Sequence, residues 1–208
     1  MRKLCKALLA ASLLAGLPLI AQAESQFTTG TGTPITASAR LDFQITIPKI
    51  LFLRVGTGTD FATTATINQI AFNVAAANVG DGASVAATAA SGDLGNGAVT
   101  AKVVGNNGNI TFTSTTLGAL GNGAAGDSIS YSQIGTTVAT LSSAVALPHP
   151  ALADGATTTV NLTPASGKVI NRDARWTYAY LNANIVAPGT YGGVNTNNSR
   201  VTYTASMP

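Results

Sequence analysis

The amino-acid sequence predicts an all-β fold. Three observations carry this: short runs rich in Val, Ile and Thr recur along the chain, clusters of Gly, Asn and Asp separate them, and no segment beyond residue 23 repeats its apolar residues with a helical period. Charged residues make up 9% of the chain, against a usual ~25%. Disordered chains are charge-rich and poor in β-branched residues, whereas this one is rich in Val, Ile and Thr.

Residues 1–23 have the parts of a secretory signal peptide: basic Arg2, Lys3 and Lys6, an apolar stretch from Ala7 to Ile20, and the small residues Ala21 and Ala23 that a signal peptidase reads. Gly16 and Pro18 interrupt the apolar stretch, which falls short of the ~20 residues of a membrane span. No later run approaches that length. The expectation is export, with a mature chain starting at Glu24, to the periplasm and then to the cell surface or beyond. The single cysteine, Cys5, leaves with the leader, so the mature chain forms no disulfide. Without Arg2, Lys3 and Lys6, the 11 basic residues fall to eight against 8 acidic ones. This balance, with no basic cluster, argues against nucleic acid as a partner. A weakly charged surface also offers little repulsion between copies, which favours association.

Residues 24–34 read as a flexible Gly/Thr lead-in. The stretch ITASARLDFQITI, residues 35–47, alternates strictly between apolar and polar, which predicts a half-buried strand. KILFLRVG follows and is apolar on both sides, as in a strand covered on two faces. Further strands are expected at 66–74, 99–105, 109–115, 128–134, 157–163, 175–182 and 200–207. The dipeptide Asn107-Gly108 predicts a type I′ hairpin joining 99–105 to 109–115. The alanine-rich loop VGDGASVAATAASGDLGNG lacks the large apolar residues that would dock a helix. Many short strands separated by turn clusters indicate one immunoglobulin-like β-sandwich over 35–208.

Catalytic and cofactor chemistry find little material. GNGAAG at 121–126 has the spelling of a dinucleotide-binding loop, but a strand pattern, not a helix, follows it. His149, the only histidine, lies between prolines and reads as an exposed loop residue. The loop carboxylates are scattered, Zn ligands are lacking, and a calcium loop around Asp93 and Asn96 or around Asp127 lacks the usual ligand array. No catalytic residue, metal site or cofactor is expected, and no enzyme activity. Trp176, Tyr178 and Tyr180 share one strand face and with Tyr191 define a candidate glycan-stacking platform; the other reading of that face is a core anchored by Trp176.

The N-terminal alternation, and the C-terminal one with Val201, Tyr203, Ala205 and Met207 apolar and Thr202, Thr204 and Ser206 polar, resemble the ends of chaperone-usher fimbrial subunits of Gram-negative bacteria. The resemblance implies an immunoglobulin-like sandwich short of one strand, completed first by a periplasmic chaperone, then, after passage through an outer-membrane usher, by the N-terminal extension of the next copy. Met207 stands where many such subunits have an aromatic residue, and the disulfide common among them is lacking. On this reading Ile35, Ala37, Ala39, Leu41, Phe43, Ile45 and Ile47 form one side of an interface between copies. Val201, Tyr203, Ala205 and Met207 line the edge that receives them. The alternatives are that 35–47 lies along the edge of its own sandwich, and that the protein is a secreted glycan-binding module or adhesin.

Overall fold

The computed structural model describes residues 24–208, so the predicted signal peptide lies outside the described residues. The chain divides between Ile47 and Pro48 into two units, later than the Ile35 at which the sequence places the start of the domain. The second unit is all-β. Its strands are β1 (Leu51–Val55), β2 (Val85–Ala86), β3 (Ala98–Gly105), β4 (Ile110–Thr115), β5 (Leu120–Gly121), β6 (Ser128–Ile129), β7 (Ile134–Ala139), β8 (Thr157–Leu162), β9 (Ile170–Tyr180) and β10 (Thr202–Ser206). Helix among the described residues is limited to two single 3₁₀ turns, Ala76–Asn78 and Tyr131–Gln133.

All pairings are antiparallel. In the larger sheet β9 is central: β3 and the short β2 follow one another along one side of it, β7 lies on the other, and β1 adds to the outer side of β3. The smaller sheet runs β10–β4–β8, and β5 and β6 form a separate hairpin. The two main sheets share one core. Val99, Ala101 and Val103 of β3 and Ala174, Trp176 and Tyr178 of β9 meet Ile110 and Phe112 of β4 and Leu162 of β8. Trp176 sits at the centre, fully buried and stacked on Phe112 at 6.0 Å, and its Nε1–H donates to the Leu147 carbonyl at 2.9 Å. Each such side chain contributes roughly 1.5–3 kcal/mol on leaving water.

The two flanks of this core differ. On the β7/β8 flank the chain between β7 and β8 passes from one sheet to the other and inserts Leu147 and Pro150, both fully buried. It is pinned to β9 through Asp173, whose carboxylate accepts from the Ser142 and Ser143 amides at 2.9 Å each. It is pinned to the other sheet where Ser114 Oγ donates to the Ala151 carbonyl at 3.0 Å. On the opposite flank β1 and β10 lie side by side. There the core-facing Leu53, Val55, Tyr203, Ala205 and Met207 are only half-buried.

Several sequence expectations are corrected. Residues 35–47 form no strand, because a strand needs a ladder partner and none of the described residues supplies one. The 66–74 run makes a single bridge, Phe72 to Ala87. Asn107-Gly108 does not close a hairpin. β3 pairs with β1 and β9, β4 with β8 and β10, and only Gly108 of the dipeptide has positive φ, so the turn carries the chain from one sheet to the other. The 128–134 run is broken by the 3₁₀ turn at Tyr131–Gln133, beyond which β7 begins. Strand β9 begins at Ile170, five residues before the expected start, and carries Arg172 and Asp173 along a buried strand. In the alanine-rich loop, Gly97 has φ of 75°, and a Cβ there would lie 2.6 Å from the Ala87 Cβ and 3.0 Å from the Tyr178 carbonyl oxygen. Only glycine fits.

Candidate assembly interface

The first unit, over its described residues 24–47, is built on the alternation itself. Its polar positions face the lead-in: Arg40 makes a bidentate contact to Glu24 at 2.6 and 2.8 Å, the Ser38 amide donates to Gln26 Oε1 at 3.0 Å, and Thr28 Oγ1 donates to the Thr36 carbonyl at 3.2 Å. These contacts step in antiparallel register, so the chain doubles back near Gly32. The side-chain hydrogen bond to Arg40 holds the Glu24 carboxyl below its ordinary range, and the same contact raises Arg40. Both groups are solvent-exposed, and such a pair contributes little stability.

With the polar row engaged, the apolar row has no cover from the described residues of this unit. Ile35 is 50% exposed, Leu41 70%, Phe43 85%, Ile45 83% and Ile47 76%; Ala37 and Ala39 are exposed as well. Isolated exposed apolar residues are ordinary, but a contiguous row of large ones marks a contact surface. From Leu41 to Ile47 no hydrogen bond to the backbone is present among the described residues, so these residues carry the free N–H and C=O groups that a partner strand requires.

The residues expected to receive the row behave differently from it. Val201, Tyr203, Ala205 and Met207 are half-buried, and the last three pack against the core of their own unit. Among the described residues strand β10 pairs with β4 on one side only, and β1 with β3 on one side only, so both are edge strands on the flank where the core is least covered. Exposed edges are templates for β-augmentation.

A second cluster, which sequence reasoning missed, joins the two sheets beside the central Trp176. His149 Nε2 lies 3.0 Å from the Tyr178 hydroxyl and 2.7 Å from the Tyr203 hydroxyl, and the hydroxyls are 3.0 Å apart. The imidazole stands edge-on to Trp176 at 4.6 Å. Contrary to expectation, His149 is therefore not an exposed loop residue. Burial pushes its pKa down to about 4, with a backbone hydrogen bond at Pro150 acting weakly the other way. Burial also raises Tyr178 to about 12 and Tyr203 well above its ordinary value. A neutral imidazole among protonated hydroxyls tethers β9, β10 and the 147–150 segment. Its hydrogen-bonding side-chain neighbours among the described residues are these two tyrosine hydroxyls.

The other candidate residues are placed as follows. Trp176, Tyr178 and Tyr180 share one face of β9, as the alternation predicts, but that face is buried, so the row presents no stacking platform. Tyr191 is half-buried and donates to the Ala187 carbonyl at 2.9 Å. The 121–126 loop closes the β5–β6 hairpin. Asp93 accepts from the Thr100 amide at 2.8 Å and faces Arg54 at 3.8 Å, and Asp127 accepts from Asn122 at 3.1 Å, so both carboxylates are occupied within the fold. No group of three metal-ligating side chains, and no helix long and apolar enough to cross a membrane, occurs among the described residues. Comparison with protein-family models, curated proteins and solved structures finds no match to this chain.

Proposed function

We propose that the protein is an exported, non-enzymatic structural subunit of a bacterial surface filament, joined copy to copy by strand pairing. Residues 35–47 of one copy add to the open β10 edge of the next, completing an immunoglobulin-like sandwich on its β1/β10 flank, after handling by a periplasmic chaperone and an outer-membrane usher. One observation carries the reading: Leu41, Phe43, Ile45 and Ile47 are 70%, 85%, 83% and 76% exposed on a segment whose backbone has no partner among the described residues. Burying these four contributes ~6–12 kcal/mol gross, comparable with the whole net stability of a typical domain. The half-buried Tyr203, Ala205 and Met207 gain cover from the same event.

Phe43→Asp tests this. The variant places a charge in the middle of the buried row, and the expected result is an exported, folded protein that stays monomeric where the parent chain forms polymers in electron micrographs and in unboiled SDS gels. Normal polymers from the Phe43→Asp protein, or a parent chain that remains monomeric at high concentration, overturn the reading.

A further inference from the structure

We infer that the pocket at the end of strand β9 binds one uncharged sugar ring, free or at the end of a glycan, through hydrogen bonds. The pocket has a volume of about 270 Å³, and its lining includes Ile129 of β6, Gln133 of the second 3₁₀ turn, Asp154 from the segment before β8, Tyr180, and Asn184 and Val186 beyond β9. That volume is just below the ~300–1,000 Å³ of clefts that take drug-sized ligands, so it suits a single ring and not a peptide. The site belongs wholly to the second unit and does not depend on how copies assemble.

The fold fixes these groups and leaves part of each unclaimed. Tyr180 is 6% exposed, yet its hydroxyl has no hydrogen-bond partner among the described residues. Every fully buried side-chain oxygen and nitrogen there does have one, so solvent reaches the Tyr180 hydroxyl, and the pocket is a cavity that Tyr180 lines. Gln133 Oε1 accepts from the Ala183 amide at 3.0 Å. That donor fixes which way the Gln133 amide points and leaves Nε2 to donate elsewhere. Asp154 Oδ1 accepts from the Tyr131 amide at 2.7 Å, while Oδ2 has no partner among the described residues. The Asn184 side chain is exposed and equally unclaimed among them.

This mixture of donors and acceptors selects the ligand. An ammonium group only donates, and it would meet the Gln133 NH₂. An anion only accepts, and it would meet the Asp154 carboxylate, the single charge among the described residues of the lining. An apolar ligand would cover the Tyr180 hydroxyl and the free Asp154 oxygen and leave both unpaired, which is costly. A hydroxyl both donates and accepts. A ring that carries several adjacent hydroxyls donates to Asp154 Oδ2, accepts from Gln133 Nε2, and takes either role with Tyr180 and Asn184. Ile129 and Val186 supply apolar wall for the C–H groups between those hydroxyls. Aromatic stacking has no part in this, because the Tyr180 ring is buried.

The test is saturation-transfer NMR on the purified full chain. The probes are free glucose, galactose, mannose and N-acetylglucosamine, the methyl glycosides of the same four sugars, and methylamine and acetate as the ammonium and anion competitors. The expected result is a millimolar Kd for at least one sugar, in keeping with a ligand of about a dozen heavy atoms, and no competition from either ion. Asp154→Asn retains an oxygen for the Tyr131 amide and should weaken binding ~10-fold or more. Tyr180→Phe keeps the ring and should weaken it several-fold, with a melting curve like the parent's. Lys168→Ala, exposed just before the start of β9 at the other end of that strand, should leave binding unchanged. Tighter binding of the glycosides assigns a chain end and tighter binding of the free sugars a soluble sugar; both uphold the site. Absence of saturation transfer from every sugar overturns the inference. Sugar binding that Asp154→Asn and Tyr180→Phe leave intact, or that methylamine displaces, also overturns it.

Discussion

Acid weakens the fold between pH ~6.5 and about 4, and His149 is the main cause. Folding moves its pKa from 6.5 down to about 4 by burial. The folded protein thus binds fewer protons than the unfolded chain once the pH drops below the unfolded value, and stability falls from there until the pH reaches the folded value. The displacement spans roughly 2.5 pH units at 1.36 kcal/mol each, or about 3 kcal/mol in all, most of it already lost by pH ~4.5. For a domain of this size that lowers Tm by roughly 6–12 °C. Tyr178 and Tyr203, which face the imidazole, stay protonated throughout this range because burial raises both.

The assay is urea denaturation at pH 7.0 and pH 4.5, read by the fluorescence of Trp176, the only tryptophan, in the parent chain and in His149→Phe. The variant gives up hydrogen bonds to two hydroxyls that retain each other at 3.0 Å. It should lose about 1–2 kcal/mol at pH 7.0 but show much less further loss at pH 4.5. Subtracting the two pH dependences cancels the carboxylates common to both proteins. Equal pH dependence in parent and variant refutes the reasoning.

Other substitutions probe the flank that the 140–153 segment seals. Leu147→Ala removes a fully buried side chain between the sheets and should cost about 2–5 kcal/mol in unfolding free energy, measured by denaturant midpoint. Asp173→Asn should cost about 2–3 kcal/mol. Burial pushes this carboxyl up, but the donors from Ser142 and Ser143 outweigh it and hold it well below the usual carboxylate range, so the ionised form is the one the site is built for. The Asp173→Asn deficit should be present at neutral pH and shrink only in strong acid, as the parent carboxylate is itself protonated; a deficit that vanishes already at pH 5 contradicts the assignment.

The all-β character and most of the long strands were legible because period-two patterning and glycine punctuation are local. β1, β3, β4, β8 and β10 fall where the alternation places them. What was not legible depends on pairing. Asn107-Gly108 carries the local signature of a hairpin, yet β3 finds its partner in β9, some seventy residues on, and the turn becomes a crossing between sheets. The early part of β9 was hidden by Arg172 and Asp173, charges that look unsuited to a buried strand until Ser142 and Ser143 arrive to satisfy the carboxylate. His149 looked exposed for the same reason, since Tyr178 and Tyr203 are distant in sequence. The placing of β10 was half legible: the sequence shows Thr202, Thr204 and Ser206 alternating, but only the register sets them beside Thr115, Thr113 and Thr111 of β4.

The central claim is that residues 41–47 of one copy lie against the β10 edge of another. The chain after residue 23 contains no cysteine, so engineered thiols report cleanly on proximity. Two singly substituted proteins, Gln44→Cys on the polar side of the donated segment in one and a cysteine at one of Thr202, Thr204 or Ser206 on the outward side of β10 in the other, are mixed, assembled and oxidised, with Thr159→Cys on β8 as the comparison. The account predicts a disulfide-linked pair between different copies for at least one β10 position and none for Thr159→Cys. Linkage to β8 in preference to β10, or no linkage at any β10 position in assembled material, contradicts it.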